Sequence, residues 1–312
     1  MLETIESHNF TVEDLGIQEQ DVYDIEVEDN HNFFANDICV HNSVYISFDK
    51  FVRKFAKTDD EDKITEFLDK SAKAFESRCI TPGYERLKNL LNCQESLMIM
   101  EREAIGSHAF WRKKKNYAIR IKDMEGWRPE EPEYKIMGLE AIKSNFVEVD
   151  RDAMTKAIKM ILDPAYSNDD LLKFIDEYHT EYMSRSIEEI ASASRVNYIQ
   201  RYSDSKGNCI KGCPKNSRAA IVYNRLLRQK ELDNRYPLVN EGDSIYILEL
   251  KTPNPIHESV IGFIDFLPRE FELEDWIDRE GLFRTNFYNP VASFCRAVDW
   301  KHDDTPDLGS FF

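Results

Sequence analysis

The first 42 residues of this 312-residue chain contain no lysine or arginine, against eleven aspartates and glutamates. No apolar run approaches the roughly 18 residues that a membrane-spanning helix requires. Met1 is not followed by the basic and apolar regions of a secretory signal. Glycine and proline number only 11 each, which excludes collagen-like and low-complexity chains. Cysteine is sparse. Cys39, Cys79, Cys93, Cys209, Cys213 and Cys295 are scattered, which reads as reduced cytosolic thiols rather than a disulfide framework. Cys209 and Cys213 could begin a zinc site, but no second ligand pair follows. What is present suffices for a core: 42% of residues are hydrophobic, and the length suggests about two domains.

The net charge of −17 argues at first against a polyanionic partner. The total hides a segregation. Beyond residue 42 the chain has 41 basic against 47 acidic residues, a balance of −6. Residues 112–122 hold six basic residues and no acid; residues 201–235 have nine basic and three acidic; residues 240–280 have three basic and eleven acidic. Local basic stripes are what a polyanion needs, so DNA remains a candidate partner.

The acidic segment is patterned as short strands. Val22–Val27 alternates like a half-buried strand, His31–Phe34 begins a second, and Ile38–Val40 a third, ending in His41-Asn42-Ser43. Such strands without a helix bury no core alone. The ending carries chemistry. An Asn side-chain amide can attack its own backbone carbonyl and cut the next peptide bond. A neighbouring His can protonate the departing amine, and a following Ser hydroxyl can accept an acyl group.

Val22-Tyr23-Asp24-Ile25, His31-Asn32-Phe33 and Val40-His41-Asn42-Ser43 closely resemble the C-terminal motifs of inteins. The resemblance implies protein splicing: Asn42 cyclises, His41 assists, Ser43 is the second nucleophile, and Asp24 and His31 are upstream acid–base residues. The intein's N-terminal nucleophile and Thr-x-x-His segment are not in the chain. That implies the C-half of a split intein, with its other half on an upstream chain. The bland alternative is a small acidic β-arm with ordinary surface histidines. If electrostatic steering brings the halves together, the absent half should be basic, and association should slow with salt.

Beyond the junction, Ser43–Asp49 reads as a strand, with Phe51–Ala56 and Lys63–Phe75 as helices. Thr81-Pro82 is expected to start a further helix to about Leu91. Leu97–Ala104 reads as a strand, Gly106-Ser107 as its turn, and Phe110–Ile121 and Tyr134–Glu140 as following strands. From about Val149 helices dominate, with a loop at Gly207–Pro214 and a basic helix over Arg218–Leu232. On a strand, Glu101 and Glu103 share a face, as do Lys115 and Tyr117. A lysine with an aromatic two residues on can hold a phosphate and pack a sugar or base. A solvated glutamate face and a plain solubilising lysine patch are the bland readings.

The order of these pieces resembles the C-terminal third of a bacteriophage-type family B DNA polymerase. Ser43-Val44-Tyr45 matches the end of the palm's Asp-Thr-Asp-Ser-Val-Tyr motif, and Leu97–Ile105 the next palm strand. Phe110–Ala118 matches the Lys-x-Tyr segment that holds the primer terminus, and Lys135–Glu140 the strand leading into the thumb. The implied fold is mixed. A small all-β intein fragment (1–42) precedes an α+β palm portion with an antiparallel sheet (43–148). A mainly helical thumb (149–303) and a clamp-binding tail (304–312) follow.

The implied DNA-binding residues are Lys113, Lys114, Lys115, Tyr117, Arg218 and Tyr223. Glu101 and Glu103 would lie near the polymerase metal site. Mg²⁺ would be held mainly by aspartates of the upstream chain, so this chain alone is expected not to polymerise. The implied partners are that upstream chain, primer–template DNA with dNTP, and a sliding clamp, in the cytoplasm of an infected bacterial host. Leu308, Phe311 and Phe312 fall on one face of a helical turn and resemble clamp-binding peptides; packing on the chain's own thumb is the alternative. A non-catalytic DNA- and clamp-binding protein carrying a relic intein is the competing class, and an ordinary one-chain intein and polymerase divided in two a third.

Overall fold

A computed structural model describes residues 32–35, 38–41, 45–95, 99–144 and 146–303. By backbone contacts the chain forms two units, Met1–Lys57 and Thr58–Phe312.

In the first unit, β1 (Asn32–Ala35) and β2 (Ile38–His41) form an antiparallel pair whose register runs from Asn32↔His41 to Ala35↔Ile38. These are the second and third strands expected from sequence; the first lies outside the described residues. Tyr45–Phe48 is not the strand that its alternation suggests. A strand needs a neighbour to take its backbone hydrogen bonds, and among the described residues none pairs with this segment, so Ile46 is 64% exposed. Helix α1 (Asp49–Phe55) follows, with Phe48, Phe51 and Phe55 in edge and tilted contact along it.

The second unit opens with α2 (Glu61–Phe75), capped by the Asp60 side chain, which accepts from the Asp62 and Lys63 amides at 3.0 and 3.1 Å. The helix does not stop before Thr81-Pro82. A π turn over Glu76–Ile80 joins it to α3 (Thr81–Leu90). Proline in a regular helix loses one bond and strikes the carbonyl four residues back; the wider turn absorbs that conflict.

Strands β3 (Ala104–Lys113), β4 (Asn116–Met124) and β5 (Glu133–Met137) form an antiparallel sheet in that order. Two expectations are corrected here. Ile99–Glu103 is irregular, so Glu101 and Glu103 are not on a strand. Gly106 and Ser107 lie inside β3, where the register shifts, and the chain turns instead at Lys114 and Lys115. A Cβ on Gly106 would overlap Ile119 Cγ2, so the glycine marks a close approach within the sheet and not a turn. One face of the sheet, through Phe110 and Ala118, joins the main core with Met154, Ala157 and Phe294. The other carries a smaller cluster of Tyr117, Ile119 and Ile121.

The remainder has far more helix than strand, but it also contains a small sheet that the sequence did not announce. Helices α4 (Glu148–Leu162), α5 (Asn168–Ser184) and α6 (Ile187–Ile190) lead into β6 (Ser192–Arg195). After α7 (Ile199–Tyr202) and α8 (Lys215–Gln229) come β7 (Ser244–Glu249) and β8 (Val260–Phe263). The three strands make a second antiparallel sheet, β6-β7-β8. Helix α8 lies against it so closely that a Cβ on Gly262 would come within 3.1 Å of the Ala219 backbone. Helices α9 (Arg279–Phe283) and α10 (Asn289–Arg296) complete the unit. Among the described residues no helix is long and apolar enough to cross a membrane.

One buried acid has a measurable consequence. Asp150 is fully buried, with Oδ1 accepting from Tyr178 Oη at 2.7 Å and Oδ2 without a partner. Burial pushes its carboxyl from the ordinary 3.8 up to about 6, although the Tyr178 hydrogen bond and Arg185 oppose the shift. The folded chain therefore keeps this proton longer than the unfolded chain. The associated stability is complete below pH 3.8 and is lost as pH rises through about 6. A shift of that size corresponds to about 3 kcal/mol. Asp150→Asn keeps the acceptor for Tyr178 and removes the ionisation. Urea midpoints should show the variant gaining on the parent between pH 5 and pH 7.5; parallel midpoints at both would contradict this account.

Candidate nucleic-acid interface

The β3–β4 hairpin is the most basic local structure of the second unit, and its geometry sorts its cations into two kinds. Arg112 points inward. Its Nη1 and Nη2 donate to Glu140 at 2.8 and 2.9 Å, Nη1 also to Ser293 Oγ at 3.0 Å, and Nη2 to Asn116 Oδ1 at 2.5 Å. The guanidinium carbon lies 5.8 Å from the Phe294 ring centre. A two-pronged pair of this kind fixes geometry as well as charge. Burial opposes ionisation of Glu140, but Arg112 outweighs it and holds the carboxyl below its ordinary value. Arg112 thus ties the hairpin to Glu140 and α10. Further along, Arg120 and Lys122 both reach Glu61 of α2, at 3.5 and 2.6 Å.

The second kind is Lys113, Lys114 and Lys115. They sit at the turn, with Lys113 and Lys115 exposed and Lys114 half-buried. Lys115 itself adopts the left-handed conformation, φ 55°. Gly138, φ +65°, sits against this turn; a Cβ there would overlap the Lys115 carbonyl oxygen and come within 2.7 Å of Asn116 Nδ2. Lys115 is therefore a turn residue and not a strand residue sharing a face with Tyr117. Tyr117 is 8% exposed, opposite Trp111 across the hairpin.

Glu101 is exposed, and Glu103 pairs with Lys135, a hydrogen bond that raises the lysine above its ordinary value. Arg102, between them, points the other way, toward Asp69 at 2.7 Å and Asp123. Among the described residues no three His, Cys, Asp or Glu side chains are grouped to hold a metal ion. Burial pushes the Cys209 thiol up to about 12.

Four of the nine cations of the second basic stretch pair with the acidic stretch that follows it. Lys215 pairs with Glu249, Arg218 and Arg225 each with Glu258 at 3.0 Å, and Arg235 with Glu270 at 2.5 Å. Arg218 is held by that carboxylate. Tyr223 is 2% exposed, edge-on to Phe271, and burial lifts its phenol to about 12. Sequence reading missed Arg201, whose guanidinium lies 6.0 and 5.5 Å from the rings of Tyr198 and Tyr202. Aromatics one and three residues away from an arginine were the available signal. The side chain of His41 and all of Asp24, His31, Asn42, Ser43, Leu308, Phe311 and Phe312 lie outside the described residues.

A mixed α/β chain with antiparallel sheets and a cationic turn is compatible with a nucleic-acid enzyme, and comparison with known proteins makes the class specific. Over about nine-tenths of its length the chain is homologous to phage DNA polymerases. It is 30% identical to the DNA-directed DNA polymerase of Escherichia phage RB69 over 92% of the chain, and 27% identical to that of Enterobacteria phage T4 over 90%. A DNA polymerase of Thermococcus litoralis is 31% identical over 142 residues, 45% of the chain. The chain spans only about a third of the two phage relatives, 34% and 33% of their lengths. No family model matches it.

Proposed function

We propose that the residues from Ser43 onward are the C-terminal palm and thumb portion of a phage family B DNA polymerase. We propose further that residues 1–42 are the C-terminal fragment of a split intein, which joins this portion to an upstream chain by trans-splicing. The polymerase reading is carried by one observation: a chain homologous to phage DNA polymerases presents Lys113–Lys115 on a turn locked from behind by Arg112–Glu140. On this reading Lys115 and Tyr117 hold the primer end, and Lys113 and Lys114 add phosphate attraction. Arg218 acts from within its pair with Glu258, and Arg201 is an additional duplex contact.

Mg²⁺ activates the primer 3′-oxygen and the triphosphate in this reaction class. On this reading its carboxylates come mainly from aspartates of the upstream chain. Glu101 and Glu103 border that site in the joined enzyme. The splicing reading rests on the motif residues Asp24, His31, His41, Asn42 and Ser43 and on the charge break at 42. The polymerase alignment, at 92% of the chain, takes in some residues ahead of Ser43 and so does not mark that boundary.

The test is intact mass after mixing this chain with the upstream polymerase fragment. The expected species joins residues 43–312 to the partner and expels 1–42. Unchanged masses of two bound chains would remove splicing and leave either a non-covalent split polymerase or a non-catalytic DNA- and clamp-binding protein. Deleting Leu308–Phe312 should lower processivity of the joined enzyme only when a sliding clamp is present. An equal loss without the clamp would place the tail on its own thumb.

A further inference from the structure

The register of the β3-β4-β5 sheet sets Trp111, Tyr117 and Met137 side by side across three strands. Directly paired residues share a face. Tyr117 forms the floor at 8% exposure, and the Trp111 ring centre lies 6.1 Å from its own, tilted by 32°. The outer two residues are open, Trp111 at 45% and Met137 at 42%. The next row inward, Ala109, Ile119 and Lys135, is covered where Lys135 meets Glu103. The apolar row is thus open at the hairpin end, beside Lys113, Lys114 and Lys115.

A polarisable, flat, solvent-facing row next to three lysines defines its occupant by chemistry. The lysines attract an anion, and the row rewards a planar apolar face. A nucleobase on its phosphate chain supplies both. We propose that Trp111, Tyr117 and Met137 form a stacking platform for the terminal nucleobase of a DNA strand whose phosphates lie along the Lys113–Lys115 turn. Trp111 is the main stacking surface, and Met137 its soft opposite edge. The inference rests on the nucleic-acid reading above and extends it to two residues which that reading did not use.

The full chain is titrated with a fluorescein-labelled oligothymidylate and a primer–template duplex, each over a range of salt. Trp111→Ala should weaken binding about tenfold, the worth of one base–aromatic stack. The slope of affinity against salt should stay as in the parent, because no phosphate contact is lost. Lys113→Ala with Lys115→Ala should weaken binding and flatten that slope. Intrinsic fluorescence gives a second readout that needs no disruptive change. Stacking should quench Trp111, and Trp111→Phe should abolish the quench while Trp127, Trp276 and Trp300 remain. If the lysine variant loses affinity while Trp111→Ala binds like the parent, with an unchanged quench in Trp111→Phe, the platform is wrong and the DNA interface stands. If the parent binds neither DNA, both fall.

Discussion

Asn42→Ala is expected to abolish release of residues 1–42 and to yield no ligated product, while association with the upstream half continues. In the proposed reaction the upstream acyl group has moved to Ser43 Oγ as an ester. The Asn42 side-chain nitrogen then attacks its own backbone carbonyl. The bond from that carbonyl to the Ser43 nitrogen breaks, and the nitrogen leaves as an amine with a proton supplied through His41. The acidic segment departs with a C-terminal succinimide, and the freed amine of Ser43 takes the acyl group from oxygen to nitrogen. Alanine has no nucleophile to begin this sequence. The reaction should therefore stop at the branched ester, visible as one species that carries the upstream polymerase portion on this chain, with the upstream intein half released, and sensitive to hydroxylamine. His41→Ala should slow the same step without stopping it, since water can deliver a proton less efficiently. Normal expulsion of 1–42 from the Asn42→Ala chain would remove the splicing assignment. A block with no branched species would move the defect to an earlier acyl transfer.

The hairpin shows what the sequence could and could not disclose. Its basic content is visible in Arg112–Lys115. The turn is not: Phe110–Ile121 reads as one continuous strand, although the chain reverses inside it. Gly106-Ser107 has turn chemistry, yet Gly106 is small because Ile119 occupies the space of its missing side chain. The turn falls at Lys114 and Lys115 with no glycine, because Arg112, Asn116 and Gly138 hold it from behind. The second sheet lies wholly in the stretch that reads as helical. Ser244–Glu249 alternates clearly, with Ile245 and Ile247 buried and Tyr246 outward, whereas Val260–Phe263 is buried on both sides and carries no period. The partial neutralisation of the second basic stretch was not decidable. Glu249 and Glu258 are distant in sequence from Lys215, Arg218 and Arg225, and only the fold brings them together.

Gly138→Ala carries the largest expected effect on the folded unit. Two penalties coincide at this residue. Its φ of +65° lies where a side chain costs roughly 1–2 kcal/mol. The new Cβ would also overlap the Lys115 carbonyl oxygen, and that neighbour is backbone, which cannot rotate aside. Overpacking of this kind costs about 1–3 kcal/mol, so the sum is about 2–5 kcal/mol. For a unit of this size that lowers Tm by roughly 5–15 °C. Gly126 is the internal control. It too has a positive φ, +92°, but nothing lies within 4 Å of its Cβ position. Gly126→Ala should therefore show the conformational cost alone. The two variants should part further in DNA binding. Relief of the overlap displaces the turn that carries Lys113–Lys115, so Gly138→Ala should lose affinity well below its own melting temperature. Gly126→Ala should keep it. Equal Tm losses in the two variants would mean that Gly138 is there for its backbone angle only. The close packing against Lys115 would then have no part in holding the lysines in place.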